Sequence, residues 1–422
     1  MKLIYGYNKL ITNYPLRSFR ERFYLKEGTI YMCGNSLGLA SKDSIETLNS
    51  AVEQWKEDGI KFWNYNNNKY FLYSTELSAA MAKYIGVDDD EVVVAGCTTT
   101  MIHQGLSTLY KPTKDRYKIL VDDLNFATDR YAVDGQVRLK GYEPKDAVKV
   151  VKSADGKFIS EDAVIEAMTD DVQLILLPTV LYRSAQVLDM KKVTEAAKRK
   201  GIVIGWDLCH AIGAIDMNIK ELDADFAVWC TYKYLNGGPG SAAALYLNRK
   251  HFEKIPGLCG WYGNKTETQF QLNHNFDHER NASGWQIGTP AIFGMASLEG
   301  ALRITTEAGI PNIRKKSLHL TAYMMFLIEE KLAVFGFKIG NLKEDHKRGG
   351  HVCLEHDEAY RISIAMKQKN VVPDFREPNV IRVTPIALYT SYEEAYQVID
   401  IIADIVKSES YKAIDNKRNK VT

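Results

Sequence analysis

Net charge is what this chain most conspicuously lacks: 54 lysines and arginines against 53 aspartates and glutamates leave +1 over 422 residues. A basic excess or a strongly basic face is what nucleic acid and anionic membrane surfaces attract, so the composition supports neither partner. Long apolar runs are missing too. No stretch approaches the roughly 18 apolar residues of a membrane-spanning helix. The opening Met1-Lys2-Leu3-Ile4-Tyr5-Gly6-Tyr7 lacks the apolar stretch and small-residue cleavage site of a secretory signal. Cysteine is sparse. Cys33, Cys97, Cys209, Cys230, Cys259 and Cys353 form no Cys-x-x-Cys pair, so neither a disulfide framework nor a zinc site is suggested. Several sit in apolar runs, as expected of buried thiols in a reducing cytoplasm. No internal repeat or low-complexity tract is visible. What is there, 45% hydrophobic and 25% charged, is an ordinary globular composition, long enough for a large core and two domains.

The middle of the chain alternates strand and helix signals. Residues 118–121 and 172–177 read as strands. Residues 190–200 read as a helix with its cationic end at the C-terminus, where the helix dipole favours it. The apolar run 202–206 follows at once, completing a βαβ unit, and 225–230 and 242–247 read as further strands. This predicts an α/β fold with a mostly parallel sheet. From about residue 296 the character changes. A helical pattern over 298–325, interrupted at Pro311, leads to strand-like segments at 350–354 and 381–383 and a helix over 392–406. We therefore expect an N-terminal segment (1–50), a large domain (51–295) and a smaller C-terminal α+β domain (296–422), with a frayed lysine-rich tail from Lys407.

The chemistry concentrates in Trp229-Cys230-Thr231-Tyr232-Lys233-Tyr234-Leu235-Asn236, followed by Gly237-Gly238-Pro239-Gly240. A lysine between aromatic rings, just after an apolar strand, is poorly placed to be a solvated charge. Desolvation disfavours its ammonium form and makes the amine a usable nucleophile or base. Such a lysine typically forms a Schiff base with a carbonyl, of which pyridoxal phosphate is the commonest protein-bound example. The bland alternative is a lysine snorkelling from a buried strand end. Upstream, Asp207 falls at the carboxyl end of the 202–206 run, where open α/β sheets place ligand-binding groups. A carboxylate there can pair with a protonated pyridine nitrogen, and His210 follows three residues later. The alternatives are a helix N-cap for Asp207 and a metal pair with His210, for which no third ligand is apparent. The glycine tail is not a phosphate-binding loop, since no Gly-Lys-Ser/Thr follows, and it reads as a tight turn.

With these residues in view, the sequence resembles the kynureninases, fold-type-I pyridoxal-phosphate enzymes of the aspartate-aminotransferase superfamily, and most of all their bacterial branch. The resemblance runs through Gly34-Asn35-Ser36-Leu37-Gly38-Leu39, Asn125-Phe126-Ala127-Thr128-Asp129, Asp207-Leu208-Cys209-His210-Ala211, Tyr232-Lys233-Tyr234-Leu235-Asn236, Gly260-Trp261-Tyr262-Gly263, Gln286-Ile287-Gly288-Thr289-Pro290 and Asp374-Phe375-Arg376-Glu377-Pro378-Asn379-Val380-Ile381-Arg382. It implies that Lys233 carries the Schiff base and shuttles protons, with Asp207 and Asp129 holding the pyridinium proton. Phe126 is implied to stack on the ring, its alternative being a plain core phenylalanine. Thr98 and Thr99, in a small-residue turn opening a helix, are implied to meet the phosphate, although threonines there also serve as N-caps. Tyr232 and His210 complete the pocket. Trp261 and Thr289 are implied to reach it from the neighbouring subunit of a homodimer with shared active sites.

The resemblance further implies that Arg382 binds the substrate's α-carboxylate beside Asn35 and Ser36. A guanidinium fork suits that geometry, the alternative being an internal ion pair with Asp374 or Glu377. Arg376 is the better candidate for structural pairing. The implied reaction is hydrolytic Cβ–Cγ cleavage of L-kynurenine, or its 3-hydroxy derivative, to anthranilate and L-alanine. A transaminase or lyase on the same scaffold is the rival. A desulfurase would need a cysteine facing the cofactor; Cys353 is the one suggestive candidate, and its strand setting favours a buried structural thiol.

Overall fold

The structure is a computed structural model that describes residues 16–417. The signal-peptide reading of the first seven residues therefore lies outside the described residues, as do the last five positions of the tail. Seven strands form the central sheet: β1 (Val92–Val94), β2 (Lys118–Asp122), β3 (Val148–Val151), β4 (Val172–Pro178), β5 (Val203–Asp207), β6 (Phe226–Trp229) and β7 (Ala244–Leu247). Their order across the sheet is β1-β7-β6-β5-β4-β2-β3. β7 runs antiparallel to both its neighbours, and all other pairs are parallel. The strands expected over 118–121, 172–177, 202–206, 225–230 and 242–247 all form, shifted only at their ends.

The reason these strands are continuously apolar is that both faces are covered. Leu174 and Leu176 enter one core, while Ile175 and Leu177 enter the core on the opposite face. The chain passes from β2 outward to the edge strand β3 and returns to β4 on the other side of β2. That reversal opens a crevice at the carboxyl ends, the usual ligand position in such sheets.

Around the sheet lie α1 (Lys42–Asp58), α2 (Thr98–Leu109), α3 (Ala127–Leu139) and α4 (Met190–Arg199). Asp189 caps α4 by accepting the Lys192 N–H, and Lys198 and Arg199 occupy its last turn. The helical pattern predicted over 298–325 is two helices, α5 (Ile292–Ala308) and α6 (Ile310–Lys331). Gly309, at φ +75°, makes the break. Pro311 sits in the first turn of α6, where its missing N–H costs nothing.

The remainder forms a four-stranded antiparallel sheet of β8 (Lys338–Ile339), β9 (Val352–Glu355), β10 (Asp374–Arg376) and β11 (Val380–Val383), in the order β10-β11-β9-β8. A capping box of Ser391 and Glu394 starts α7 (Tyr392–Lys407), which covers the same core. Met295, Leu298 and Leu302 of α5 belong to the core of the large sheet, whereas Leu320, Met324 and Ile328 of α6 belong to the second core. The expectation of a tail frayed from Lys407 is corrected as far as Lys417. A short 3-10 turn, Ser410–Ala413, follows α7; Arg361 Nε donates to the Ile414 carbonyl (2.9 Å) and Tyr360 Oη to that of Lys417 (3.1 Å). Among the described residues no helix is long and apolar enough to cross a membrane.

Candidate active site

Five strand ends converge on one cavity of about 350 Å³. The turn after β1 brings Thr98 and Thr99, the loop after β2 brings Phe126 and Asp129, and β4 leads to Tyr182. β5 delivers Asp207 and His210, and β6 delivers Tyr232 and Lys233. Asn35 and Ser36 come from the N-terminal segment, and Arg376 and Arg382 from the second sheet, so the cavity lies where the two cores meet. Two larger clefts, of about 720 and 710 Å³, hold none of these groups.

Lys233 is half-buried, and its Nζ lies 3.0 Å from His210 Nε2. The turn behind it is pinned by the Gly237 N–H donating to the Thr231 carbonyl (2.9 Å), with Asn236 in the left-handed region at φ +58°. Burial, with Lys233 adding to it, pushes His210 well below its ordinary value, so the imidazole beside the lysine is neutral. Asp207 is buried, and its Oδ1 accepts the Cys209 N–H at 2.8 Å. It caps no helix, since turns follow it, and the N-cap alternative is set aside. Asp129, in the first turn of α3, accepts from Asn125 Nδ2 at 2.6 Å. Burial raises both carboxyls, and Asp207's charge raises Asp129 further. Among the described residues no cationic side chain is hydrogen-bonded to either carboxylate. A protonated ring nitrogen is the charge such a pair requires, and in this respect the residues fit pyridoxal phosphate.

Cys97, not a threonine, is the N-cap of α2. Thr98 and Thr99 occupy the first turn and line the cavity, with Thr99 Oγ1 3.2 Å from Thr128 Oγ1. An unfilled helix N-terminus carrying hydroxyls suits an anion. Phe126 is not a core residue: it is 54% exposed and meets Tyr182 edge-on at 5.8 Å between ring centroids. Its surroundings leave the ring free for a ligand. Trp261 and Thr289 do not line the cavity. Trp261 is 42% exposed, donates Nε1–H to the Gln269 carbonyl (3.0 Å) and packs edge-on against Phe270, and Thr289 is exposed.

At the opposite end Arg382 is 1% exposed. It donates Nη1–H to the Tyr182 carbonyl (2.6 Å) and Nη2–H to Ser36 Oγ (3.0 Å), and pairs with Asp374. The internal ion pair considered for Arg382 therefore exists, with Asp374, yet Arg382 still lines the cavity and its buried Nε has no partner among the described residues. Arg376 pairs with the same Asp374 (3.1 Å), as expected, and lines the cavity as well. Asn35 is fully buried, and neither of its amide atoms has a partner among the described residues. Orphaned buried polar atoms on a cavity wall are groups a ligand would satisfy. Cys353 is buried outside the cavity, its Sγ 2.7 Å from the Arg183 carbonyl.

Residues 313–402 match the kynureninase C-terminal domain family. The chain is 51% identical, over 406 residues, to the kynureninase of Bacillus thuringiensis subsp. konkukian, covering 96% of this chain and 95% of that one. It is 49% identical over 413 residues to the kynureninase of Geobacillus thermodenitrificans, covering 98% and 96%. The chain belongs to the kynureninase family. Its backbone also superimposes on the apo cysteine desulfurase of Thermococcus onnurineus NA1 with a TM-score of 0.81, over 94% of this chain and 99% of that one, at 16% identity. That likeness concerns the fold alone, the fold type I of pyridoxal-phosphate enzymes expected above.

In this member of the kynureninase family the cavity also includes Cys97, Asn125, Thr128, Val180, Tyr182 and Cys209, to which sequence reasoning gave no role. Asn125 and Thr128 stood in a run already quoted, between residues that were singled out. Tyr182 had no local signal. It lies beyond the end of a strand, and the approach of β11 brings Arg382 to its carbonyl.

Proposed function

We propose that the protein is a pyridoxal-phosphate-dependent hydrolase that cleaves the Cβ–Cγ bond of L-kynurenine, consuming water and releasing anthranilate and L-alanine, a step of tryptophan catabolism. The observation that carries this reading is one cavity holding Lys233 between a buried carboxylate pair and an arginine pair, in a chain of this family. The 3-hydroxy derivative would enter the same cavity. We assign the cofactor to Lys233, covalently, with Asp207 and Asp129 at its ring nitrogen, Phe126 on its face, Thr98 and Thr99 at its phosphate, and His210 and Tyr232 beside it. When bound, that cofactor supplies an electron sink for charge developing on the substrate.

The chain's own residues do the rest. Arg382, Ser36 and Asn35 bind the amino-acid head, the arginine offering its charge and its unpartnered Nε–H to the carboxylate. Lys233, held by neutral His210, moves the proton at the α-carbon. Tyr232, next to Lys233 on the cavity wall and kept protonated by burial, is assigned the relay of the proton to the β-carbon.

We further infer a homodimer in which Trp261 and Thr289 serve the partner's cavity. Support comes from their exposure and from the exposed apolar cluster beside Trp261, where Phe270 is 66% exposed against Phe71; monomers rarely present such patches. Six free thiols, three of them buried, favour a reducing compartment and hence the cytoplasm. We place the start of the smaller domain within α6, not at residue 296, because α5 packs into the large core. The test of function is incubation of the purified protein with L-kynurenine, following anthranilate fluorescence and alanine together. Equal amounts of both products are expected. Bound cofactor without anthranilate would refute the reaction and leave a related enzyme on the same fold.

A further inference from the structure

We propose that Asp374 is a positioning residue that aims Arg382 and sets the charge of the carboxylate-binding end, so that the cavity admits one carboxylate in preference to two. The inference rests on the function proposed above. Three donors converge on this one buried side chain. Ser36 Oγ donates to Oδ2 at 2.8 Å, Arg376 Nη1 lies 3.1 Å from Oδ1, and Arg382 Nη2 pairs with Oδ2. Asp374 on β10 stands directly opposite Arg382 on β11 in the antiparallel register, so the backbone itself holds the pair together.

Arg382 is thereby fixed on two sides, its Nη1 by the Tyr182 carbonyl and its Nη2 by Asp374 and Ser36, leaving the buried Nε as its unpartnered donor. Arg376 is held from one side, its Nη1 by Asp374 and by the Phe375 carbonyl (3.0 Å), while its Nη2 reaches a 3.5 Å contact with Ser36. Asp374 is not among the residues lining the cavity and acts through the two arginines that are. Two guanidiniums and one carboxylate sum to a single positive charge. A buried net charge is costly until compensated, and one substrate carboxylate compensates this one. A second carboxylate would enter with no partner.

The experiment uses the holoenzyme and its D374N and R376Q variants, with KM and kcat for L-kynurenine and competition by propionate and succinate. D374N raises the cluster to two positive charges and frees the fork of Arg382. We expect KM to rise about tenfold or more, with the cofactor's visible absorbance kept, and succinate to gain on propionate by about tenfold. R376Q lowers the cluster to zero net charge, so KM rises while succinate loses ground against propionate. A D374N enzyme with unchanged KM and unchanged succinate-to-propionate preference would overturn the proposal. If D374N does not fold, R376Q decides: unchanged KM and preference in that variant overturn it. Wild-type protein that binds cofactor but does not cleave kynurenine would sink the functional reading instead. In that event, titrating the cofactor absorbance with propionate and succinate in the variants still judges Asp374.

Discussion

Replacing Gly205 with alanine tests how the sheet holds the site. Gly205 is the central residue of β5 and the register partner of Phe226 on β6. A Cβ at Gly205 would stand 2.1 Å from Phe226 Cζ and 2.3 Å from Cε1, well inside contact distance. The ring has no retreat, because its other side lies against Gly105 of α2, where a Cβ would be 2.7 Å from Cδ2 and Cε2. The phenylalanine is thus clamped between two glycines, and it is fully buried. Overpacking of this kind costs about 1–3 kcal/mol, and with both exits closed we expect about 3. The strain falls on elements that serve the cavity: β5 carries Asp207 two residues on, and α2 opens with Thr98 and Thr99.

The assay is a double-mutant cycle with Phe226→Leu, reading thermal midpoint and cofactor retention at fixed protein concentration. Each single variant should lose stability, G205A by strain and F226L by lost burial. The double variant should lose less than the sum by about 0.5–3 kcal/mol and should recover cofactor binding. Strict additivity, or a G205A protein as stable as wild type, would refute the clamp.

Lys233→Ala should abolish anthranilate formation together with the Schiff-base absorbance; turnover by that variant would remove the lysine from the mechanism. Phe126→Ala, at an exposed position, should leave stability within about 0.5 kcal/mol of wild type yet speed cofactor loss on dialysis. Equal retention would mean the ring does not stack. Burial pushes Asp122 up to about 6, with its Oδ2 lacking a partner. Between about pH 4 and 6 the folded protein keeps a proton that the unfolded chain has lost, so this group's contribution to stability falls as pH rises through that window. Asp122→Asn removes the effect. The variant should gain on wild type by up to about 3 kcal/mol between pH 4 and pH 7, and a pH-independent difference would refute the assignment.

The strands were legible because covering both faces of a parallel sheet demands continuous apolar runs, a property written locally at 172–177 and 202–206. Lys233 and Asp207 were legible for a related reason. A polar group at the end of such a run has few uses other than a ligand. The break between α5 and α6 was half legible: Pro311 marked it, but the glycine before it makes the turn. Where helix α5 belongs was hidden, since an amphipathic helix does not say which of two cores it will join.

Sequence by itself thus determined the sheet, the lysine and the carboxylate, because each follows from local pattern and strand-end position. Tertiary structure alone decided that Asp129 and Asp207 share one buried charge problem, that Phe126 faces outward, and that Arg382, Arg376 and Ser36 meet on Asp374. Asp129 and Asp207 lie far apart in the chain, as do Ser36 and Asp374, whereas Asp374, Arg376 and Arg382 share one short run and meet through the register of β10 and β11. These meetings depend on strand register and on how two cores abut, which no window along the chain contains.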